Sequence, residues 1–517
     1  MTPAPTEDAD LAVTLDIPVP ASLPVGTATA IFCYGTCFHR RHPIERLEIV
    51  VEGARHPTTA SGMPRPDRFR ELHPDLGLER PHPGHDPRSS EDPELRSYRS
   101  GFWATVPIEA HDRPGTIEVR LEATLANGGI ASGTVATIEV VARGEHPAYD
   151  RLPAADGELI AICMATFDPE IELFRSQIDS LRAQTDRAWT CLISDDCSTP
   201  ERFDAITEVI SNDPRFVVSR SPRRLGFYRN FERALQMVPA EAELVALCDQ
   251  DDRWYPDKLE VLRGALGKAQ LVYSDQRLVD SEGRLLRETL WRGRRNNYTN
   301  FASMLIANTI VGAASLFRRR VIELALPFPE GPGWQFHDHW LAVVALASGD
   351  VAYVDRPLYD YVQHADAVVG KVAVEAERGG RGESAHGPPG WGPFARWRAT
   401  YFRSYLQLEL QAEVVLARCS AELTRRKRRA ARLLVAAGRT PLGLAWLALR
   451  WFRRLFGRTE TLGTEAQLLR GVLWRRLIVI RAGRRRLPGR TIHDASIPAF
   501  DVDSFGYERL KRWLASA

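Results

Sequence analysis

The sequence has few cysteines, no long apolar stretch and almost no net charge. Its seven cysteines are an odd number scattered over 517 residues, which fits a reduced cytoplasmic chain better than a disulfide framework. No run of about 18 apolar residues occurs, so no helix is expected to span a bilayer. The N-terminus, Met1 to Leu15, holds acids and prolines where a secretory signal has a basic and then an apolar stretch. These absences predict a cytoplasmic protein.

The formal charge of +2 hides an uneven distribution along the chain. Residues 371–517 carry 29 basic and 12 acidic side chains, whereas residues 1–370 carry 39 and 54. With 44% hydrophobic residues, the chain is neither a disordered protein nor a dedicated polyanion binder, and it can bury two or three cores. The basic C-terminal part therefore needs its own explanation.

The N-terminal region, residues 1–145, is predicted to form a small antiparallel β-sandwich. Short alternating or β-branched stretches are separated there by Gly, Pro and Asn turn signals. The polar stretch Pro57–Ser97 lacks an apolar period and is predicted to be a long surface loop with solvated histidines, namely His73, His82 and His85. Cys33 and Cys37 are a single pair without a second pair at metal spacing, so no zinc site is expected.

After a predicted linker at residues 146–157, the pattern changes to strands alternating with helices. This alternation over residues 158–370 is typical of a parallel sheet covered on both faces, an α/β fold. The predicted strands are Glu158–Thr166, Ala188–Ser194, Arg215–Ser219 and Glu243–Cys248. Three of these strands run directly into polar segments that contain acids, and the carboxyl ends of such strands share one edge where ligands bind. The acids are therefore expected to lie together.

The segment Asp249–Asp252 is the densest group of acids at a strand end. Its oxygen ligands suit Mg²⁺ or Mn²⁺, which bind through one or two carboxylates and substrate phosphate oxygens. The alternative is that these acids cap the next helix, which Pro256 and the charged residues after it predict. A cap needs only one acid, so the pattern favours the metal site.

Four segments together resemble a family 2 glycosyltransferase of the GT-A (Rossmann-like) type, with the bacterial rhamnosyltransferase-like branch as the most similar. The resemblance covers about residues 158–370 and rests on the order and spacing of these segments: Met164–Pro169, Ser194–Thr199, Leu225–Phe231 and Cys248–Trp254. It implies a transferase that uses a nucleotide diphosphate sugar, with dTDP or UDP as the nucleotide, and that needs Mg²⁺ or Mn²⁺.

The resemblance also implies roles for individual residues. Asp249 and Asp251 match the DxD pair that holds the metal and the sugar-nucleotide diphosphate, and Asp252 and Trp254 complete the segment. The nucleotide pocket is implied to be lined by Thr166, Asp168, Asp195, Asp196 and Asp249. Asn230 is given a supporting role.

Asp338, in the segment His337–Trp340, matches the family's catalytic base. An inverting transfer needs one carboxylate to take the proton of the acceptor hydroxyl as it attacks the anomeric carbon. His337, His339 and Trp340 are assigned to acceptor contact or support. The alternative for Asp338 is a helix N-cap at the start of a predicted helix, Trp340–Ser348, with the two histidines on the surface.

The closing segment Pro357–Gly370 departs from the family pattern at two positions. Val362 stands where the family usually has Arg, and Ala367 stands where Asn is usual. His364 is in place and is implied to reach the metal or the diphosphate, with a packing role as the alternative. The two departures leave room for a weakened enzyme.

Beyond a connector at residues 371–393, residues 394–517 are predicted to be helical and basic. The predicted helices are Phe394–Leu416, Ala421–Ala437, Leu442–Phe456 and Thr464–Val479. The third has Trp, Leu and Phe over much of its surface and Arg at its end, as in helices that lie in a membrane interface. Packing of these helices on the catalytic core is the alternative. No nucleic-acid-binding motif accompanies the arginines, so no nucleic acid partner is expected.

The sequence therefore predicts an inverting, metal-dependent glycosyltransferase that acts on a cell-envelope glycan or a lipid-linked acceptor. It would work in the cytoplasm or on the inner face of the plasma membrane, with the N-terminal sandwich as an accessory domain and the oligomeric state open. One rival is a nucleotidyltransferase, but the segment Thr166–Pro169 lacks the Gly-rich basic loop expected to hold a triphosphate. The second rival is a non-catalytic glycan- or membrane-binding scaffold with a vestigial glycosyltransferase domain.

Overall fold

In the computed structural model, the described residues are 8–76, 90–144, 158–291, 295–332, 335–363 and 393–483. The N-terminal strands are β1 (Leu11–Leu15), β2 (Ser22–Pro24), β3 (Thr29–His39), β4 (Ile44–Val51), β5 (Ala54–Pro57), β6 (Ala60–Met63), β7 (Gly101–Ile108), β8 (Gly115–Leu125) and β9 (Ile130–Val141). They form a four-stranded sheet in the order β1-β3-β7-β6 and a five-stranded sheet in the order β2-β9-β8-β4-β5.

A buried apolar layer lies between these two sheets, as a sandwich requires. Ile31 and Phe102 come from the first sheet, and Ile49 and Leu121 come from the second. Alternate residues of β8 are buried, which is the period-two pattern of a strand with one face in a core. The predicted β-sandwich is therefore present in the described residues.

The prediction of a loop with solvated histidines over Pro57–Ser97 was wrong in its described part. This part contains β6, helix α1 (Pro66–Leu72) and a 3₁₀ turn at Arg96–Arg99. His73 is buried, and its Nε2 lies 3.1 Å from Oδ2 of Asp92. Asp92 also accepts hydrogen bonds from backbone N–H groups of the 3₁₀ turn, so the histidine and the acid hold this segment together. His82 and His85 lie outside the described residues.

The second region contains a nine-stranded mixed sheet. Its strands are β10 (Leu159–Thr166), β11 (Trp189–Asp195), β12 (Phe216–Arg220), β13 (Ala242–Cys248), β14 (Arg253–Trp254), β15 (Leu271–Asp280), β16 (Leu285–Arg287), β17 (Ser315–Arg318) and β18 (Val351–Gln363). The order is β12-β11-β10-β13-β17-β15-β18-β14, and β16 pairs with β15. The first four strands in this order are parallel, as predicted, because their continuous apolar runs are buried between helices.

The helices of this region are α2 (Ile171–Arg182), α3 (Pro200–Ile210), α4 (Phe227–Gln236), α5 (Lys258–Leu266), α6 (Phe301–Met304), α7 (Arg319–Ala325) and α8 (His337–Ser348). Helix α8 begins three residues earlier than predicted. Its N-cap is Phe336, so Asp338 lies in the first turn and the N-cap alternative for this residue was wrong. The N-cap of α5 is Asp257, so Asp249–Asp252 do not cap that helix either.

The C-terminal region is helical, as predicted. Its helices are α9 (Pro393–Thr400), α10 (Leu406–Arg418), α11 (Arg425–Ala437), α12 (Pro441–Trp451) and α13 (Thr464–Gly483), with a π turn at Tyr401–Tyr405 and a 3₁₀ turn at Phe452–Phe456. None of the described helices is both long and apolar enough to cross a bilayer.

The C-terminal helices pack against both preceding regions. Trp103 of the sandwich donates a hydrogen bond from Nε1 to the Tyr401 hydroxyl at 3.2 Å, and it also packs against Phe402. Arg418 donates to backbone carbonyls of Ala28 in the sandwich and of Ala325 in the α/β region. One buried apolar cluster includes side chains from all three regions. The division of the chain into separate domains stays a prediction.

Candidate active site

The parallel strands place three acid-bearing segments at one edge of the sheet. Thr166, the last residue of β10, pairs in register with Asp195, the last residue of β11. On the other side of β10, Met164 pairs with Cys248, which ends β13 and directly precedes Asp249. The predicted gathering of acids at the carboxyl ends of the strands is therefore present. We call this edge of the sheet the rim.

Asp249 and Asp251 are half-buried at this edge. Burial, together with the negative charges of Asp251 and Asp338, raises the pKa of Asp249 to about 7, although Lys258 lowers it. The three carboxyl groups are therefore close enough for the other two to disfavour a charge on Asp249. A divalent cation bound to their oxygens would lower this repulsion, so the donor set fits Mg²⁺ or Mn²⁺.

Asp252 and Trp254 are buried behind this pair. Asp252 accepts a hydrogen bond from the Val362 N–H at 3.3 Å, and its Oδ2 has no hydrogen-bond partner among the described residues. Burial raises the pKa of Asp252 well above its usual value. Trp254 pairs with β18 through its backbone and is 2% exposed. Both residues contact β18 beneath the surface of the rim. Their supporting role stays a prediction.

Lys258 is a fully buried cation beside the acids, and the sequence analysis did not single it out. Its Nζ donates to the Ala313 carbonyl at 2.5 Å and lies 3.4 Å from the centroid of the Trp254 ring. Burial lowers its pKa to about 7, against the opposing effect of Asp249 and Asp252. A signal was present: Lys258 shares the apolar face of α5 with Leu259, Leu262 and Leu266.

Asp338 faces the same group of acids from the first turn of α8. Its carboxylate accepts hydrogen bonds from the backbone N–H groups of His339 and Gly312 and from the Asn308 side chain. Burial nevertheless raises its pKa to about 6. A Cβ on Gly312 would lie 3.2 Å from Leu247 and 3.3 Å from the Asp338 Cβ. Gly312 therefore lets the start of α8 approach the end of β13 closely.

The alternative that both histidines beside Asp338 lie on the surface is wrong for His339, which is buried. His337 stacks on Phe231 with ring centroids 3.7 Å apart, and burial lowers its pKa to about 3, which keeps it neutral. His339 is buried and donates from Nε2 to the Met304 carbonyl at 2.6 Å. Trp340 is fully buried and donates from Nε1 to Ala325. The last two fix α8 in place, while the half-buried His337 lies nearer the surface.

The residues assigned to the nucleotide pocket form a hydrogen-bonded wall. Asp195 is fully buried and accepts hydrogen bonds from the Thr166 hydroxyl and from the N–H and hydroxyl of Ser198. Asp196 accepts the backbone N–H groups of Leu225 and Gly226 at 2.5 and 2.8 Å. These carboxylates therefore hold two loops of the rim together through their oxygens.

Asp168 is more accessible than these three residues. It is half-buried and adopts a positive φ of 38°, a conformation that is uncommon for a residue other than glycine. Its N–H donates to Ser198 Oγ, and its Oδ1 accepts the Thr199 N–H, both at 2.8 Å. The strained backbone is held by these contacts at the entrance to the wall.

Two further contacts at the rim were missed by the sequence analysis. The Arg224 guanidinium lies 3.7 Å from the centroid of the Phe167 ring, and Gln250 accepts the Phe167 N–H at 2.8 Å. Asn230 is buried and bonds to Ser194 and to the Thr166 carbonyl; its supporting role stays a prediction. No short-range pattern in the sequence signals the contact between Arg224 and Phe167.

Two further metal predictions concern residues away from the described rim. His364 lies outside the described residues. The thiols of Cys33 and Cys37 are buried, and burial raises the pKa of each to about 12. Among the described residues, one group of three potential ligands has its atoms within 4.8 Å of one another: Asp8, Asp10 and His39.

That group lies in the sandwich and not at the rim. Its members already have partners in the protein: Asp10 forms an ion pair with Arg41 at 2.9 Å. His39 Nδ1 accepts the backbone N–H groups of Arg41 and His42. This group therefore does not correspond to the predicted metal site.

The mixed sheet with acids at the carboxyl ends of its parallel strands defines an α/β domain of the GT-A glycosyltransferase type. Residues 162–324 match the family model for Glycosyl transferase family 2. The match confirms the resemblance found in the sequence. The rhamnosyltransferase-like branch stays a prediction.

The other comparisons give more distant likenesses. An uncharacterized protein, y4gI, of Sinorhizobium fredii is 28% identical over 125 residues, which cover 23% of this chain and only 14% of that protein. The structure of S. aureus TarS 1-349 in complex with UDP-GlcNAc shares 15% identity, with 63% of this chain and 89% of that chain covered and a TM-score of 0.38. The mannosyltransferase PcManGT from Pyrobaculum calidifontis, in complex with GDP-Man and Mn²⁺, shares 16% identity, with 63% and 90% covered and a TM-score of 0.35.

Proposed function

We propose that this protein is an inverting, metal-dependent glycosyltransferase. It transfers a hexose, rhamnose or another, from a dTDP- or UDP-sugar to a hydroxyl of a cell-envelope glycan or a lipid-linked acceptor. The observation that carries the proposal is that Asp251 and Asp338, the latter in the first turn of α8, lie close enough to Asp249 at the end of β13 to raise its pKa, within a region that matches family 2. Such an arrangement supplies metal ligands and a proton acceptor in one site.

Asp249 and Asp251 would hold the divalent cation together with the diphosphate oxygens of the donor. When bound, the cation supplies positive charge that stabilises the leaving diphosphate. The raised pKa of Asp249 supports this assignment, because burial and the neighbouring acids disfavour its negative charge and a bound cation would stabilise it. Asp252 and Lys258, both buried, fix the position of this segment against β18 and the Gly312–Ala314 turn.

Asp338 would act as the base that takes the proton from the acceptor hydroxyl. A raised pKa of about 6 makes it a stronger proton acceptor than an ordinary aspartate, yet it is still ionised at neutral pH. Its hydrogen bonds with the Gly312 N–H and the Asn308 side chain orient the carboxylate. Proton transfer of this kind typically contributes about 10²- to 10⁴-fold to the rate.

For the nucleotide we propose a division between contact and support. The half-buried Asp168 and Asp249 would meet the nucleotide and diphosphate, while the buried Thr166, Asp195 and Asp196 shape the wall behind them. The polar groups of this second set already bond within the protein, so exchanging those bonds for ligand contacts would be costly. His364 and the acceptor side of the pocket remain predictions from the family resemblance.

A donor screen tests the proposal. The full chain is incubated with UDP- and dTDP-sugars in the presence of Mn²⁺ or Mg²⁺, and the release of nucleotide diphosphate is measured. Asp251→Asn is expected to lower the rate and the metal dependence, whereas Asp338→Asn is expected to lower the rate with nucleotide binding retained. Asp204→Asn is a matched control, because Asp204 is an exposed acid on α3 away from the rim.

Calorimetry with UDP and dTDP in the presence of Mn²⁺ separates the enzyme from a vestigial domain. Binding that disappears in Asp251→Asn supports the proposed site. The absence of binding with every nucleotide would favour the glycan- or membrane-binding scaffold, which Val362 in place of the usual Arg also favours. Equal activity of the parent and both rim variants would overturn the assignment of these acids.

A further inference from the structure

Helix α12 and the 3₁₀ turn after it expose a row of large apolar side chains. Leu442 and Leu449 are each 68% exposed, and Leu455 and Phe456 are 79% and 80% exposed. Trp451 and Phe452 are also exposed. Large apolar side chains grouped in this way mark an interaction site more often than single exposed leucines do.

These side chains form one continuous face, which we call the apolar stripe: Leu442, Ala445, Leu449, Phe452 and Phe456, with Trp451 and Leu455 at its edge. Its main positions are three or four residues apart, the spacing of one face of a helix. The opposite face of α12 is buried through Gly443, Leu447 and Arg450. Because the opposite face packs on the protein, the helix is held in place and the stripe is presented to solvent without a partner having to bind first.

The helix that carries the stripe is fixed to the rest of the protein. A Cβ on Gly443 would lie 2.4 to 2.6 Å from the Ala436 backbone, so α12 packs closely on α11. Arg450 and Arg453 donate to the Ser303 hydroxyl of α6 at 2.8 and 3.0 Å. Arg453 also pairs with the buried Glu460. Whatever binds the stripe therefore also orients the α/β region.

The sequence around the stripe is strongly basic. Residues 424–459 contain 11 Lys and Arg residues and no Asp or Glu. Some of these cations have partners within the protein. Arg439 forms an ion pair with Glu409, and Lys427 donates a hydrogen bond to the Gly349 carbonyl. Others are exposed and have no acidic partner among the described residues: Arg425, Arg426, Arg429, Arg432 and Arg454.

The exposed arginines lie on α11 and on the turn that carries Phe452–Phe456. Helices α11 and α12 are joined by three residues, 438–440, and pack on each other. Four of the arginines therefore lie on the helix that packs against the helix of the stripe, and Arg454 lies within the turn that continues the stripe.

We propose that the apolar stripe and the flanking arginines bind the surface of an anionic lipid bilayer. Leucine and phenylalanine side chains enter the boundary between headgroups and acyl chains, and the arginines meet the negative headgroups. A second copy of the chain fits less well, because it would bring two sets of unpaired arginines together. Nucleic acid fits less well too, because phosphate contacts give no reason for a row of exposed leucines. The inference does not depend on sugar transfer.

The test uses the full chain and vesicle co-sedimentation. Phosphatidylcholine vesicles are compared with vesicles that contain about one third phosphatidylglycerol, at low and at high salt. We expect binding to the anionic vesicles at low salt, with weaker binding at high salt and to phosphatidylcholine alone. Leu455→Ser combined with Phe456→Ser is expected to weaken binding by roughly tenfold or more, since two apolar anchors are lost.

The control combines Ile130→Ser with Leu285→Ser, two apolar residues that are 64% and 50% exposed elsewhere on the molecule. This variant is expected to bind like the parent. The triple variant Arg425→Gln, Arg426→Gln and Arg429→Gln is expected to lose the preference for anionic lipid. Because all these side chains are exposed, we expect the variants to fold. Near-ultraviolet circular dichroism of each variant checks this.

Three results would each overturn the proposal. The first is no binding of the parent to anionic vesicles at low salt. The second is equal vesicle binding by the parent and the Leu455→Ser/Phe456→Ser variant. The third is self-association of the parent in light scattering, lost in that variant, without any vesicle binding, which would assign the stripe to contacts between copies of the chain.

Discussion

Replacement of Asp338 by Asn should inactivate the enzyme and stabilise the folded protein at the same time. The pKa of Asp338 rises from its usual 3.8 to about 6, so the native state disfavours the ionised carboxylate. At 1.36 kcal/mol per pKa unit, this difference corresponds to about 3 kcal/mol above pH 6. Asparagine has nearly the same shape and no charge, so it removes that penalty.

One hydrogen bond reduces this gain. The Asn308 side chain donates to Asp338, and an asparagine can present its own amide donor at that position. Loss of the bond costs about 1 kcal/mol, so the expected net stabilisation is about 2 kcal/mol at pH 8. The rate of sugar transfer should fall by about 10²- to 10⁴-fold, the usual contribution of a general base.

The pH dependence of this stabilisation follows from the direction of the pKa shift. Below about pH 4 the carboxyl group is protonated in both the folded and the unfolded state, and the penalty is absent. It develops as pH rises towards 6 and is complete above pH 6. The stability advantage of Asp338→Asn should therefore be larger at pH 8 than at pH 5.

Urea unfolding at pH 5 and pH 8, followed by tryptophan fluorescence, measures the stability difference, and diphosphate release measures the activity. Asp204→Asn should change neither quantity, because Asp204 is exposed. A merely structural role for Asp338 predicts loss of stability in the variant. A destabilised Asp338→Asn protein, or a gain that is the same at both pH values, would refute the reasoning.

Three other predictions concern the rim. Because burial raises the pKa of Asp249 to about 7, protons should compete with the cation, and calorimetry should show Mn²⁺ affinity falling as pH is lowered from 8 to 6. Lys258→Met removes a buried positive charge beside Asp249 and Asp252. This charge repels a divalent cation more strongly than a proton, so Mn²⁺ affinity at pH 7 should rise, and a lower affinity would contradict the described coupling. Gly312→Ala would place a Cβ 3.0 Å from His337 Nε2, which should shift the start of α8 and with it Asp338. Turnover should therefore fall by roughly tenfold or more, while the affinity for UDP in calorimetry should stay constant.

Much of the α/β fold could be predicted because its strands are apolar runs with clear ends. Leu159–Thr166 and Ala242–Cys248 are mostly buried strands, and an aspartate follows each of them within two residues. The mixed part of the sheet was harder, because β17 pairs antiparallel and β18 pairs parallel with β15, and both are separated from it by long stretches of chain. Pairing at such distances leaves no local pattern to detect.

The sequence analysis singled out the acids of the candidate site but missed Lys258 and Gly312, which contact the segments that carry these acids. Asp249 and Asp251 were singled out because they follow a recognisable strand, and Asp338 was singled out by the family resemblance. Lys258 and Gly312 act through contacts with residues far along the chain, namely Ala313 and Leu247, respectively. A sequence pattern shows which residues carry charge, but the burial that shifts their pKa depends on the assembled fold.

The basic C-terminal region shows that packing and surface binding need not exclude each other. The two alternatives for the third predicted helix were packing on the catalytic core and contact with a membrane. In α12 the buried Leu447 and Arg450 serve the first, while Leu449 and Phe456 on the other side are left exposed. A helix that only packed would carry polar residues on that side, since exposed leucine and phenylalanine contribute nothing to the core. The exposed face therefore needs a partner, and the unpaired arginines beside it favour one with negative charge.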